Sequence, residues 1–147
     1  MSYHNPERKS ELGFKAYFGA ITGLNVRTRF SGIVKELPNL EIVCDTCDPA
    51  IRNEDNSVAE WACNLKFTIN SRYIKQDVAE GEAHEVFVGA VSDMIADQTV
   101  ISGLNNYSTL FDYQAVLWKP GRRTNRVEDK DYVTELTGTL WLVPSAT

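Results

Sequence analysis

Apolar residues along this chain follow two periods. Between Pro6 and Ile21, Phe14, Tyr17, Phe18 and Ile21 recur at i, i+3, i+4 and i+7, one stripe of a helix. Asn5 is placed to cap that helix, Pro6 takes its first position, Glu7 suits the positive end of its dipole, and Thr22-Gly23 ends it. From Trp61 the period becomes two: Trp61, Cys63, Leu65, Phe67 and Ile69 share one face, and Ala62, Asn64, Lys66, Thr68 and Asn70 the other. "LNVRTRF" reads as a short strand, Lys35 to Asn39 as a turn and "LEIVC" as a second strand. Helical spacing returns from about Ala79 to Ala96, with Ala83, Phe87, Ala90, Val91, Met94 and Ile95 inward and Glu82, Glu85, Ser92 and Asp93 outward. "ISGLNN" reads as a turn with a buried Leu104. The last two strands, about Tyr107 to Trp118 and Val133 to Val143, pair as a hairpin. Phe111, Tyr113, Ala115 and Leu117 share a face in the first, and Leu136, Leu140 and Leu142 in the second. This order predicts a single α+β domain over residues 1–147, a mostly antiparallel sheet of about four to five strands covered by two helices.

Two segments follow neither period. Residues 45–60, "DTCDPAIRNEDNSVAE", carry Asp45, Asp48, Glu54, Asp55 and Glu60 against Arg52 alone. They read as an irregular acidic loop, poorly ordered in the free protein. Residues 119–132, "KPGRRTNRVEDKDY", lie between two apolar runs and sort their charges. Lys119, Arg122, Arg123 and Arg126 come first, then Glu128, Asp129 and Asp131. This reads as a long hairpin loop, either a solvated tip or a contact element reaching a neighbouring subunit or partner. Guanidinium groups pair with carboxylates in a forked geometry, and a head-to-tail ring supplies both halves from one chain.

A length of 147 residues, an apolar fraction of 43% and a charged fraction of 24% are those of an ordinary globular domain. The net charge of −5 argues against broad electrostatic binding to nucleic acid. The first residues hold no apolar leader, so the protein is expected in the cytoplasm or assembled there. Cys44 and Cys47 close an apolar run rather than open a helix, and the remaining metal ligands, Cys63, His4 and His84, fall at no recognisable spacing. Free thiols and no metal are therefore expected. His84 reads as a plain surface histidine, because a general base needs a nucleophile and an acidic partner that the sequence does not supply. There is no phosphate loop, no nucleophile elbow and no calcium-ligand ladder in the chain. Neither catalysis nor a cofactor is expected.

In order and pattern, from about Glu7 to Val143, the chain resembles the tail terminator (tail completion) proteins of long-tailed bacteriophages. The resemblance rests on an N-terminal helix followed by "LPNLEIVCD" and on the long alternating strand "WACNLKFTINSRY". It continues in a helix with a leucine-asparagine turn, "EAHEVFVGAVSDMIADQTVISGLN", and a final strand "LTGTLWLVP". It implies a virion structural protein of the tail or neck: a homohexameric ring that caps the tail tube, ends its polymerisation and meets the head connector, without catalysis or cofactor. DNA would pass through such a ring without specific binding. An acidic lumen would repel phosphates, a role suited to Asp48, Glu54 and Asp55 if their loop faced inward. Another phage connector or tube component, or an unrelated small protein-binding module, fits the same element order.

Overall fold

The computed structural model describes residues 5–29, 36–72, 78–106, 110, 112–128 and 131–145; His4, Lys35, Phe111 and Asp129 lie outside them. Helix α1 covers Pro6–Phe18, and strands β1, β2 and β3 cover Asn25–Thr28, Asn39–Arg52 and Val58–Arg72. Helices α2 and α3 cover Val78–Met94 and Thr99–Asn105, and strands β4 and β5 cover Tyr113–Glu128 and Asp131–Pro144. The strands form one sheet in the order β1-β2-β3-β5-β4. β1 runs parallel to β2, and every other neighbouring pair is antiparallel. The fold is thus α+β with a mostly antiparallel sheet, and among the described residues its helices number three rather than two.

Asn5 caps α1 through its side chain, which accepts from the Arg8 N–H at 3.1 Å, with Pro6 in the first turn. The helix ends at Phe18, not Ile21, and Gly23, at φ +84°, turns the chain toward β1. Phe14 and Phe18 are fully buried and stack at 5.7 Å. Both pack edge-on against Phe67 of β3, at 4.8 and 5.3 Å, and Trp118 of β4 lies 5.2 Å from Phe14. Burying each such side chain contributes about 1.5–3 kcal/mol, so this aromatic cluster is the centre of the core. Helical residues and the inward positions of β2, β3, β4 and β5 join it in one continuous cluster, and Val26 of β1 packs against it. The sheet's other face carries polar side chains, among them Asn64, which bonds Thr46 and Thr139 across neighbouring strands at 2.8 and 3.0 Å.

Four expectations are corrected. The inward residues of α2 are His84, Val88 and Val91, with Ile95 just past its end; Ala83 is exposed, and Phe87, Ala90 and Met94 lie at the margin. "ISGLN" belongs to α3, capped by Asn106, and the helix buries Val100 and Leu104 completely. Residues 45–60 are a β-hairpin: β2 runs on to Arg52, the turn occupies residues 53–57, and β3 begins at Val58. The strand there comes from pairing with β3, not from burial, which is why no alternation marks it. Residues 119–128 and 131–132 of the expected loop are likewise strand, a ribbon of β4 and β5 paired from Lys119↔Thr139 to Glu128↔Asp131. β5 pairs with β3 as far as Arg72↔Asp131, so the ribbon stays within the sheet.

Two bulges explain further differences in phase. Between Ala115 and Leu117 the register of β4 shifts by one, so Trp118 faces the core and Leu117 is 47% exposed. Gly138 lies beneath the Trp118 ring, where a Cβ would overlap it. The second bulge lies between Cys44 and Thr46 of β2.

Candidate functional site

The two charged segments lie on opposite edges of the sheet. Among the described residues β1 covers β2 only from Asn39 to Ile42, which leaves the rest of β2 as an edge, and Pro49, which donates no hydrogen bond, suits it. This edge presents Asp45 and Asp48, both exposed, and leads into the turn bearing Glu54 and Asp55. Asp55 accepts from the Ser57 N–H at 2.9 Å and the Ser57 hydroxyl at 2.6 Å, which hold its carboxyl below its ordinary pKa. Asn56 takes φ +68°, a conformation asparagine tolerates, and Arg52 bonds its carbonyl at 3.2 Å. The hairpin is closed and built. Asp48, Glu54 and Asp55, expected on an irregular loop, stand instead on this ordered hairpin.

On the opposite edge, β4 carries Lys119, Arg122, Arg123 and Arg126. Arg126 is committed within its own chain, to Glu128 and, at 3.2 Å, to Glu135. Arg122 and Arg123 are exposed and form no ion pair among the described residues. Asp131 opens β5 opposite Glu128. Apolar side chains accompany the charges: Val116 and Leu117 are 43% and 47% exposed on β4, and Ile51 is 53% exposed on β2. The first part of the β4 edge is sealed. Asn105 holds both the N–H and the C=O of Ala115, at 2.8 and 3.0 Å, and Gln98 holds those of Trp118, at 3.1 and 2.6 Å. Two amide side chains there imitate a neighbouring strand.

The structure also brings together three thiols that spacing kept apart. In a regular strand Cys44 and Cys47 would face opposite sides of the sheet. The bulge after Cys44 adds a residue, so Cys47 returns to the same face and stands directly opposite Cys63. Cys47 Sγ lies 2.6 Å from Cys63 Sγ and 3.5 Å from Cys44 Sγ, and all three sulfurs fall within 4.8 Å of one another. Cys44 and Cys63 are buried, Cys47 half-buried. Hydrogen bonding from Cys47 and Cys63 draws the Cys44 thiol well below its usual range. The matching signal was in the sequence: Cys47 and Cys63 are equidistant from Asp55, the middle of the turn. Beside the cluster, the fully buried Glu11 carboxylate accepts from the Cys44 N–H and from Arg29, both at 2.9 Å. Burial raises its pKa against those two partners.

His84 is not a surface residue; it is 4% exposed. Its Nδ1 lies 2.8 Å from the Ser71 hydroxyl and its Nε2 2.8 Å from that of Thr134. Thr134 donates to Asn125 Oδ1 at 2.8 Å, so it accepts from Nε2–H, and Nδ1 then accepts from Ser71. Burial lowers the His84 pKa and favours this neutral ring, against the nearby Glu85. The serine that a general base would need is therefore present. The group on the far side is a threonine hydroxyl rather than an acid, and Ser71 is itself buried. The arrangement ties α2 to β3 and β5.

Among the described residues no helix is long and apolar enough to cross a membrane. No protein-family profile matches the chain, and no curated protein matches it in sequence.

Proposed function

We propose that this chain is a virion structural subunit that assembles head to tail into a ring, capping the tail tube of a long-tailed bacteriophage, ending its polymerisation and joining it to the head connector. The tail and neck location comes from the resemblance in element order; the head-to-tail contact has support of its own. One observation carries it: the sheet has an acidic edge, Asp45 and Asp48 on β2, and on the far side a basic edge, Lys119, Arg122 and Arg123 on β4. Each edge also exposes an apolar side chain, Ile51 on one and Val127 on the other. A heterologous contact uses two different patches of one chain, and a closed rotation turns it into a ring. The acidic hairpin thus takes a place between subunits, and Arg126 helps hold the ribbon that presents Arg122 and Arg123. The protein works by assembly, with no reaction and no cofactor, and DNA passes through without specific binding.

The test is a charge reversal with rescue. Wild-type protein mixed with the tube protein of the same phage should give capped tubes of limited length in negative-stain images. Arg122→Glu with Arg123→Glu should abolish rings and caps while leaving the fold intact by circular dichroism. Adding Asp45→Arg and Asp48→Arg to that variant should restore them. A reversed variant that still caps tubes overturns the subunit contact. A wild-type protein that neither forms rings nor binds the tube overturns the tail assignment.

A further inference from the structure

We propose that Cys44, Cys47 and Cys63 are a binding site for one thiophilic divalent cation, Zn2+, with three protein ligands and solvent in the fourth position. The site is independent of the ring. Three features of the fold converge on it. The bulge after Cys44 aligns both thiols of the C-x-x-C segment on the core face. The hairpin register then sets Cys63 directly across from Cys47 on the neighbouring strand. Two well-formed strands therefore hold the three ligands, so the site is largely made before any ion arrives.

Geometry and chemistry suit zinc. Tetrahedral coordination with Zn–S near 2.3 Å places sulfurs about 3.8 Å apart. Cys44 and Cys47 stand at 3.5 Å, close to that value, and the 2.6 Å between Cys47 and Cys63 needs to open by about 1 Å, within reach of small side-chain rotations. Thiolate is the donor that selects soft and borderline cations over magnesium and calcium. Cys47 is half-buried while Cys44 and Cys63 are buried, so the cluster has one side open to ion and water. No fourth His, Cys, Asp or Glu joins the group among the described residues, which leaves the fourth position to solvent.

The experiment uses the full chain, reduced and stripped of metal by a chelator, then titrated with Co2+ as a spectroscopic probe and with Zn2+ against a chromophoric chelator. The expected result is one equivalent bound per chain, with thiolate-to-cobalt charge-transfer bands, intense tetrahedral bands in the visible, and displacement of cobalt by zinc. Cys47→Ser, at the half-buried position, should keep its fold by circular dichroism and weaken binding on the order of 100-fold, as expected on losing one of about four bonds. Cys63→Ser should do the same, which separates a three-thiol site from chelation by Cys44 and Cys47 alone. Absence of charge-transfer bands, or uptake unchanged in folded Cys47→Ser, would falsify the site. Uptake unchanged in Cys63→Ser would overturn the three-thiol site and leave chelation by Cys44 and Cys47 alone.

Discussion

Gly138 and Trp118 show how one residue's identity is set by another's position. The indole fills the space above Gly138, and its Nε1–H donates to the Ile95 carbonyl at 2.8 Å, which fixes the ring. Gly138→Ala should therefore cost about 1–3 kcal/mol as an overpacked core substitution. The denaturant midpoint reads it, and an unchanged midpoint would mean that Trp118 has room to swing. His84 gives a pH dependence with a defined sign. Its folded pKa is depressed by burial, so the unfolded chain takes up a proton that the folded chain resists. Stability should be full above the unfolded value of about 6.5 and decline as pH falls below it. His84→Gln, whose amide offers a donor and an acceptor without titrating, should flatten that decline in midpoints measured between about pH 8 and 5. A wild-type protein with no decline would contradict the buried neutral ring. Neither residue was legible in the sequence. Gly138 sits in an otherwise regular strand, and His84 was misplaced because apolar spacing in α2 put the inward face on Ala83 and Phe87. The polar residue that turns inward is paid for by hydroxyls 13 and 50 positions away.

At the scale of elements, alternation was a good guide where a strand has one buried face and a poor one where it has none. β3 was read correctly because Cys63, Leu65, Phe67 and Ile69 are buried in turn. The outer half of β2 and most of β4 beyond Trp118 are exposed on both faces, and only cross-strand pairing makes them strands. The rest was hidden by ending the second strand at Cys44, which left Cys47 in the expected loop, and by the bulge in β4, which exchanged Leu117 for Trp118. The β4 edge offers an element-scale prediction. Gln98 and Asn105 make four hydrogen bonds to the backbone of Ala115 and Trp118. Gln98→Ala with Asn105→Ala should lower stability by about 2–4 kcal/mol, at roughly 1 kcal/mol per bond. It should also promote self-association, because it bares an edge. Chemical denaturation and light scattering together test this; a loss of stability without association would mean that other groups still shield the strand.

For the whole molecule, a sheet with unlike edges makes association sensitive to ionic strength. Exposed ion pairs are worth about 0–1 kcal/mol each and are screened over about 8 Å at physiological salt. Self-association measured by light scattering should therefore weaken as sodium chloride rises. Association that strengthens with salt would shift the contact from Arg122 and Arg123 to the apolar Ile51 and Val127. The sealed stretch of β4 has a further consequence for any assembly built through that edge. A neighbouring chain can align along β4 from Lys119 onward, but it meets the side chains of Gln98 and Asn105 if it slides back past Trp118. Those two amides act as an end-stop, and the offset between adjacent copies is counted from it. Copies held at one offset repeat a single contact, and that contact closes into a ring where its repeat carries no rise along the axis.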